Sequence, residues 1–419
     1  MQRISLVNPY SGRGGASLGT YRLYKFLCKF YPSKIIDLEV VIDTKTHPAS
    51  RRSNYIFQGI LLLQSLINKL LVKALSKGKL EVGYSFLIPI SLPALFIYLR
   101  IIKSNKVYLH SLGSGFACFL SLPLLINKAK IAKQADEWML TGGCHYTYGC
   151  KELENGCSNC PHFNYLGRMI IRHNFKFKRN LLENTSIICV SPSKWLQKKF
   201  ADVIGERSRY IPNSAQNIMP SKVDNALINN FKKYDDSIDK NLLTIGIAAT
   251  YLNDKRKNFQ ELIPIIIKLL RNGRFNIILC GRDSNNYKLI IKSKIKDSDI
   301  GRLYSYGNLN PLLMNLFYKK NDIIIHAADY DNSPNIVTES IAQGVPCLVT
   351  DKCGNPEHIR ASLGGCVVDN LNNIYNKLVE LEKDRKLLRI MSTNAFNYSK
   401  TILSPKAMAD SYYNLLMSS

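Results

Sequence analysis

Short apolar runs alternate with longer stretches of helical periodicity along most of the chain. Residues 4–7, 106–110, 242–249 and 322–326 are mainly apolar runs with the length of strands that are buried on both faces. Between such runs, as in residues 18–30, apolar side chains recur at three- and four-residue intervals, which is typical of helices packed on one side. The alternation predicts an α/β protein built on parallel sheets.

The chain is too long for a single core. Its 419 residues favour two domains of about 200 residues each. Residues 215–240 are polar and lack a regular pattern, and αβ patterning resumes at Leu242. We therefore predict that the first domain covers residues 1–214 and that the second begins at residue 215.

One stretch, residues 329–346, joins the end of a predicted strand to a tight loop and a short helix. Ser333 is predicted as the N-cap of that helix, and Pro334 as its first residue, where a missing N–H costs nothing. Asp331 then lies in the loop at the carboxyl end of the strand, and Glu339 lies about two turns into the helix. The two acids are predicted to face the same crevice.

This arrangement suits a nucleoside diphosphate. Backbone amides from Ser333 to Asn335 lie at a helix N-terminus, where unpaired N–H groups and a partial positive charge attract phosphate oxygens. A carboxylate such as Glu339 can accept both hydroxyls of a ribose. An ordinary αβ unit with surface acids is the alternative interpretation.

The spacing Asp331-x7-Glu339, followed by the small-residue segment 341–346, resembles the signature of the retaining glycosyltransferases of family 4. That signature has Glu at both ends, so the first acid is shortened here. The resemblance extends from about residue 4 to the C-terminus. It implies the GT-B architecture of two Rossmann-like domains with an interdomain cleft. The second domain would cover residues 215–402, and a last helix, 403–419, would pack back on the N-terminal domain.

The resemblance also implies roles at the donor site. Glu339 would bind the ribose, the amides of Ser333, Pro334 and Asn335 would surround the diphosphate, and Asp331 would bind sugar hydroxyls. No metal or other cofactor would be required for catalysis, because helix dipoles and cations carry the charge that a divalent ion would otherwise neutralise.

Two further segments match the donor machinery of the family. Lys257 matches the Lys of a Lys-Gly dipeptide that stabilises the leaving diphosphate, with Arg256 as a second cation and Asn258 in place of the Gly. An exposed basic turn is the alternative. Gly14 and Gly15 match a Gly-Gly-Ala turn whose amides approach the donor diphosphate or the acceptor.

The first half carries the acceptor side of the resemblance. His110 ends a predicted strand, where ligands of open α/β sheets bind. Asp136 and Trp138 match a His-Asp-x-Trp motif of family members that assemble bacterial surface polysaccharides, but Ala135 replaces the His. That His lies at the reaction centre in the family, so the replacement bears directly on catalysis and on the acceptor.

A cysteine-rich insertion, residues 139–165, follows this motif. It holds four thiols with a final spacing that can chelate one ion: Cys144, Cys150, Cys157 and Cys160. Thiolates at tetrahedral positions hold structural zinc, so a structural zinc site is one prediction. Free thiols or a redox-labile pair are the alternative.

Charge and hydropathy bear on the partners. Lys and Arg exceed Asp and Glu by 26, which favours nucleic acid, an anionic membrane or a phosphorylated substrate. Residues 162–179 are predicted as a basic amphipathic helix that lies either on such a membrane or in solvent.

Residues 55–75 are predicted as a packed helix, and residues 86–102, which contain two prolines, as a buried strand, loop and helix. No signal peptide is expected, so a cytoplasmic protein at the inner membrane face is predicted.

The sequence thus predicts an enzyme that transfers a sugar, with retention, from a nucleotide-sugar donor to a saccharide or lipid-linked saccharide acceptor. The shortened Asp331 and the missing His at position 135 keep a non-catalytic nucleotide-sugar binder as an alternative. A zinc-containing nucleic-acid binder ranks last, because the basic residues lack the aromatic interleaving of a nucleic-acid module. Nucleic acid is therefore not expected as a partner.

Overall fold

A computed structural model describes residues 3–10, 14–41, 50–52, 55–78, 80, 83–110, 112–113, 116–214, 238–296 and 302–418. The chain divides into two compact units. Unit 1 consists of Met1–Pro212 together with Met408–Ser419, and unit 2 consists of Asn213–Ala407. The predicted boundary region, 215–240, lies almost wholly outside the described residues.

Unit 1 is built on a seven-stranded sheet in which every neighbouring pair is parallel. Its strands are β1 (Arg3–Val7), β2 (Ile35–Val40), β3 (Ser50–Arg52), β4 (Lys106–His110), β5 (Ile131–Lys133), β6 (Ile188–Ser191) and β7 (Ser208–Tyr210). The order β3-β2-β1-β4-β5-β6-β7 reverses direction between β1 and β4. The carboxyl ends of these two strands are therefore the place where such a doubly wound sheet binds ligands.

The helices of unit 1 connect and cover these strands. They are α1 (Gly14–Phe30), α2 (Tyr55–Leu75), α3 (Leu92–Ile101), α4 (Ser121–Lys128), α5 (Tyr165–Glu183) and α6 (Lys194–Ile204). The last helix of the chain also joins this unit: Tyr412 is buried edge-on against Tyr108, with ring centroids 5.5 Å apart. Asp410 accepts a 2.7 Å hydrogen bond from the hydroxyl of Tyr31.

Unit 2 repeats the plan with six parallel strands. They are β8 (Leu243–Ala248), β9 (Phe275–Cys280), β10 (Leu303–Ser305), β11 (Ile323–His326), β12 (Cys347–Thr350) and β13 (Gly365–Val368). The order β10-β9-β8-β11-β12-β13 reverses between β8 and β11. The strands predicted at 242–249 and 322–326 are thus confirmed, and they flank the reversal.

The helices that follow these strands are α7 (Phe259–Asn272), α8 (Ser284–Lys292), α9 (Pro311–Lys320), α10 (Asn335–Ala342), α11 (Glu357–Ser362), α12 (Asn372–Lys383), α13 (Arg385–Thr401) and α14 (Pro405–Ser418). The strands of this sheet are almost wholly buried, and α7 packs a buried stripe of Phe259, Leu262, Ile266 and Leu269 against them. This packing explains why the strand runs lack alternating polar positions.

Two predictions about the apolar segments of unit 1 are wrong. Helix α2 was predicted to be packed, but its only buried residues are Leu61, Asn68 and Val72. Helical spacing indicates an apolar face without saying what covers it. Residues 86–102 were predicted to begin with a strand, but α3 is preceded by a loop that contributes a single bridge, between Ile88 and Cys118. Pro89 lies next to that bridge and has no N–H for a ladder.

The buried His358 makes unit 2 sensitive to acid. Burial lowers the pKa of His358 from 6.5 to about 4, so its ring stays neutral in the folded state while the ring in the unfolded chain takes up a proton below pH 6.5. Stability is therefore lost as the pH falls from 6.5 to 4, by about 1.4 kcal/mol per pH unit at most.

We expect His358→Gln to lose less unfolding free energy than the parent protein between pH 7 and pH 4.5, measured by urea denaturation. The exposed His162→Gln is the control and should follow the parent curve. Parallel curves for His358→Gln and the parent would show that this ring does not control the acid sensitivity.

Candidate functional site

The carboxyl end of β11 gathers three charged or titratable side chains in unit 2. Strand β11 ends at His326, and Nε2 of that ring lies 3.4 Å from Oδ2 of Asp331 in the following loop. The same Asp331 carboxylate forms an ion pair with Lys257. The structure therefore brings together two of the predicted site residues, Asp331 and Lys257, and adds an imidazole.

The electrostatics of this cluster fix its protonation. Burial opposes ionisation of Asp331, but the ammonium of Lys257 and the contact with His326 outweigh it and hold the pKa of Asp331 well below its usual range. Burial lowers the pKa of His326. At neutral pH the site thus contains a carboxylate, an ammonium and a neutral imidazole.

Lys257 reaches Asp331 because of a tight turn before α7. Residues Lys255–Lys257 form one 3-10 turn, and Asn258 follows with a left-handed backbone, φ 53°. This conformation favours Gly, and Asn tolerates it better than most other residues, which explains how Asn258 replaces the Gly of the Lys-Gly dipeptide. The Arg256 carbonyl accepts a 2.9 Å hydrogen bond from the amide of Asp329, so the turn is fastened to the loop after β11.

Arg256, the second predicted cation, forms an ion pair with Asp254 beside the turn. Its guanidinium donates to both carboxylate oxygens of Asp254, at 3.1 and 2.5 Å. Asp254 also accepts from the backbone amide of Arg256 at 3.1 Å. The cation in direct contact with Asp331 is therefore Lys257, and Arg256 lies one residue away with a carboxylate of its own.

The helix after this loop begins one residue later than predicted. The N-cap of α10 is Pro334 and not Ser333, and Asn335 is the first helical residue. The carbonyl of Pro334 accepts from the amides of Val337 and Thr338, at 3.1 and 3.3 Å. Pro334 was predicted as the first helical residue, one position after the cap. Its extended backbone, ψ 117°, lets it occupy the cap position itself.

The start of α10 has the features of an anion site. The first amides of a helix, here those of Asn335 and Ile336, have no carbonyl within the helix to bond. The hydroxyl of Ser333 is buried and has no hydrogen-bond partner among the residues that the structure describes. A buried polar group of this kind needs a partner, and a phosphate oxygen would supply one.

Glu339 lies one turn further along α10 and is buried, with 8% of its surface exposed. Its Oε2 accepts a 2.9 Å hydrogen bond from the hydroxyl of Tyr318, on α9. Burial, followed by the charge of Glu339, raises the pKa of Tyr318 well above its usual value. Tyr318 therefore donates at all physiological pH values and fixes the orientation of the carboxylate.

Unit 1 contains a cavity of about 500 Å³ beside the ends of β4 and β5. Asp136, predicted for the acceptor side, lines it together with Ala135 and Trp138. Oδ2 of Asp136 lies 2.7 Å from Nδ1 of His145, and Nε2 of that ring lies 3.0 Å from Oγ of Ser85. The cavity thus contains an imidazole although position 135 has none.

Two more titratable groups belong to this region. The structure places His110 at the end of β4, buried, and its charge contributes to lowering the pKa of Asp136 against the opposing effect of burial. Lys133 ends β5 and lines the cavity; burial, followed by the charge of Arg22, lowers its pKa to about 7. A buried amine that is neutral in a large fraction of molecules near pH 7 can accept or donate a proton.

Gly14 and Gly15 are placed differently from their prediction. They form the first turn of α1 and not a turn that precedes it. Residues 11–13 of the predicted glycine-rich turn lie outside the described residues. Tyr10, from the same connection between β1 and α1, lines the cavity of unit 1.

Two of the four cysteines of the insertion lie in an apolar cluster, and the other two, Cys144 and Cys150, are partly buried. Cys157 and Cys160 are buried with Phe163 and Ile171. Burial raises the pKa of Cys144 to about 12 and that of Cys157 to about 11, and neighbouring thiols contribute to both increases. Among the residues that the structure describes, no group of three or more His, Cys, Asp or Glu side chains could hold a metal ion. The structural zinc site therefore stays a prediction from the thiol spacing, with free thiols as its alternative.

Sequence reasoning missed five of the residues in these two sites: Ser85, Lys133, His145, Tyr318 and His326. His145 stands in the same motif as Asp136, and nine residues separate them, so the motif itself carried a signal. His326 ends a predicted strand just as His110 does. Ser85 and Tyr318 carry no local signal, because only the tertiary fold brings them to their partners.

Comparison with known proteins relates part of this chain to one family. Residues 251–398 match the family described as glycosyl transferases group 1. Over 295 residues the chain is 24% identical to the putative colanic acid biosynthesis glycosyl transferase WcaC of Escherichia coli (strain K12). That match covers 67% of this chain and 66% of WcaC, just under two thirds of the relative.

Solved structures share the whole fold at low identity. WaaG, a glycosyltransferase involved in lipopolysaccharide biosynthesis, is 13% identical with a TM-score of 0.60, over 99% of this chain and 100% of its own. Anabaena Alr3699/HepE in complex with UDP is 13% identical with a TM-score of 0.65, over 100% of both chains. These likenesses establish the GT-B fold that the sequence predicted.

The backbone of Asn258 provides a test of the turn that positions Lys257. We expect Asn258→Gly to keep the stability of the parent protein, because Gly adopts a positive φ without strain. Asn258→Val should lower the unfolding free energy by about 1–3 kcal/mol, since a β-branched residue is strained there. Urea denaturation measures both changes. Equal stabilities of the Gly and Val variants would contradict the left-handed turn.

Proposed function

We propose that the chain is a group 1 glycosyltransferase, and specifically a retaining hexosyltransferase of bacterial surface polysaccharide synthesis. The match of residues 251–398 to that family and the GT-B fold support this proposal. It takes the sugar from a nucleotide-diphosphate donor and passes it to a saccharide, which is carried on a lipid. The likeness to WcaC supports the polysaccharide pathway. The HepE complexes with UDP and with UDP-glucose support a uridine diphosphate donor.

The observation that carries the donor assignment is the arrangement around α10. Glu339 is buried and held by Tyr318, as a residue that binds ribose hydroxyls must be. The hydroxyl of Ser333, which has no partner among the described residues, and the first amides of α10 donate hydrogen bonds to the diphosphate oxygens. Lys257 stabilises the negative charge that develops on the leaving phosphate oxygen, and Asp331 binds sugar hydroxyls and holds Lys257 in place.

Retention follows from attack on the face that the diphosphate leaves. The bond between the anomeric carbon and the phosphate oxygen breaks, the acceptor oxygen bonds to the same face, and the leaving phosphate oxygen takes the acceptor proton. This route needs no protein nucleophile. It needs a cation beside the leaving oxygen, and Lys257 supplies it without a cofactor.

The cavity of unit 1 binds the acceptor in this proposal. Three of its polar side chains, Ser85, Asp136 and His145, form one hydrogen-bonded chain, and a sugar hydroxyl that displaces the hydroxyl of Ser85 would bond Nε2 of His145. Trp138 is buried in the wall of the same cavity, and its indole N–H donates a 2.8 Å hydrogen bond to the carbonyl of Ser85. His145 thus supplies the ring that Ala135 lacks, and Asp136 orients it.

Donor binding tests Glu339. We expect Glu339→Gln to weaken UDP binding by about 10- to 100-fold, because a hydrogen bond to a charged acceptor contributes about 1.5–3 kcal/mol. The measurement is the UDP-dependent rise in melting temperature, and the exposed Glu380→Gln is the matched control. Unchanged UDP affinity in Glu339→Gln would refute the ribose assignment. UDP binding without sugar transfer in the parent protein would favour a non-catalytic binder.

Sugar transfer tests His145. We expect His145→Gln and Asp136→Asn each to reduce kcat/KM for the acceptor at least about tenfold, since an oriented hydrogen bond or proton acceptor is lost. UDP affinity should stay at the parent value, because these residues and Glu339 belong to different units. His162→Gln, an exposed histidine of the same segment, is the control. Full transfer activity in both cavity variants would exclude this cavity as the acceptor site.

A further inference from the structure

Helix α2 exposes apolar side chains along its whole length. Six of its Leu and Ile residues are between 44% and 56% exposed: Leu62, Leu63, Leu66, Ile67, Leu70 and Leu71. At 100° per residue they cover about half of the helix circumference. The buried residues Leu61, Asn68 and Val72 lie on the opposite side. The helix is therefore oriented in the opposite sense to a core helix: its more apolar side is turned away from the unit.

The apolar surface continues onto the elements that contact α2. Phe57 of α2 stacks on Phe96 of α3 at 4.3 Å, and α3 and its flanks expose Leu92 and Leu99 at 51% and 64%. The carbonyl of Leu75 accepts a 2.9 Å hydrogen bond from Asn164 at the start of α5, whose first turns expose Tyr165 and Leu166. We call these exposed side chains of α2, α3 and α5 the apolar face. Soluble monomers rarely expose a contiguous face of this size.

The charge next to this face is positive. Lys69, Lys73 and Lys77 are exposed on or just after α2, and by helical spacing Lys69 and Lys73 border the apolar half. The sequence from residue 55 to residue 110 contains seven Lys or Arg residues and one acid, Glu81. A basic border around an apolar face complements an anionic bilayer, where the side chains enter the hydrocarbon boundary and the ammonium groups meet lipid phosphates.

We propose that the apolar face docks unit 1 on an anionic lipid membrane, with α2 lying in the interface and not crossing the bilayer. By length and hydropathy α2 qualifies as a candidate span, with a mean hydropathy of 1.5. Its attachment argues against crossing. The side-chain amide of Asn68 bonds the carbonyl and the amide of Phe86, at 2.7 and 3.2 Å, and Leu61 and Val72 are buried beside it. A crossing helix would have to break all of these contacts.

The same helix connects this face to the acceptor cavity. Ser65, Asn68 and Lys69 line the cavity that contains Asp136 and His145, while the neighbouring positions Leu66 and Leu70 belong to the apolar face. A saccharide attached to a membrane lipid would thus enter the cavity at the edge of α2, with Lys69 next to its phosphate. This step deepens the proposed function and rests on it, but membrane docking itself requires no sugar transfer.

Vesicle binding tests the docking. We expect the full-length protein to co-sediment with vesicles that contain about one third phosphatidylglycerol, and to bind pure phosphatidylcholine much less, because anionic lipid attracts each basic residue near the surface. The triple variant Leu63→Gln, Leu66→Gln, Leu70→Gln should partition at least about tenfold more weakly. A second triple variant, Lys69→Gln, Lys73→Gln, Lys77→Gln, should lose the preference for anionic vesicles.

Matched controls separate docking from misfolding and from catalysis. Leu289→Gln with Ile290→Gln removes side chains of comparable exposure, 64% and 41%, from unit 2 and should bind vesicles like the parent. The leucine, lysine and control variants should all keep the parent melting temperature and UDP affinity. Glu339→Gln should bind vesicles normally, so a failure of the donor assignment is distinguishable from a failure of docking.

Three results would overturn the proposal. The first is undiminished vesicle binding by the leucine triple variant with its fold intact. The second is a lipid-free dimer, seen by light scattering, that the same substitutions dissociate, since the face would then bind a second copy. The third is retention of the protein in membranes after alkaline carbonate extraction, because α2 would then span the bilayer.

Discussion

The ion pair between Lys257 and Asp331 is the interaction on which the proposed donor site of unit 2 depends. It joins two segments that are 74 residues apart and that leave the sheet from β8 and β11, the strands at its reversal. Both groups are largely withdrawn from water, with 21% and 17% of their side chains exposed. A buried charge without its partner is destabilising, so the pair fastens the turn before Asn258 to the loop at Asp331. Against the opposing effect of burial, the charge of Lys257 helps to hold the pKa of Asp331 below its usual range.

The two units share a parallel sheet with one reversal of strand order, and each gathers titratable side chains beside that reversal. In each sheet the strand after the reversal ends in a histidine, His110 in β4 and His326 in β11, and each ring contributes to lowering the pKa of an aspartate, Asp136 or Asp331. The difference lies in the partner that completes the cluster. In unit 2 it is a lysine, which suits the charge of a diphosphate, and in unit 1 it is His145, which suits an uncharged hydroxyl.

The sequence could predict those features that are determined by residues close together in the chain. The strands and the Asp331 and Glu339 positions depend on local patterns, apolar runs and the spacing of one helix, so they were predictable from residues close together in the chain. The one-residue shift in the helix start reflects that Ser333 and Pro334 both satisfy local cap preferences, and the tertiary position of the loop decides between them. The pairing of Ser85 with His145, 60 residues apart, has no local signature. Thiol spacing likewise suggests a metal site in the insertion but does not determine whether the four thiols converge on one ion.

Helix α2 shows most clearly why an apolar periodic pattern does not determine burial. Its sequence would serve equally well as a core helix, a spanning helix or an interfacial helix, because the three differ in the medium around the apolar side and not in the pattern. The polar residues of the opposite side decide among them. Asn68 would be costly in a dry core without partners and costly in a bilayer, but in unit 1 both ends of its amide are bonded to Phe86. The apolar half is therefore left facing outward, with lysines at its border and the cavity of Asp136 and His145 immediately behind it. In the proposed function the donor is soluble and the acceptor is bound to a lipid, so only the unit that would receive the acceptor needs such a face.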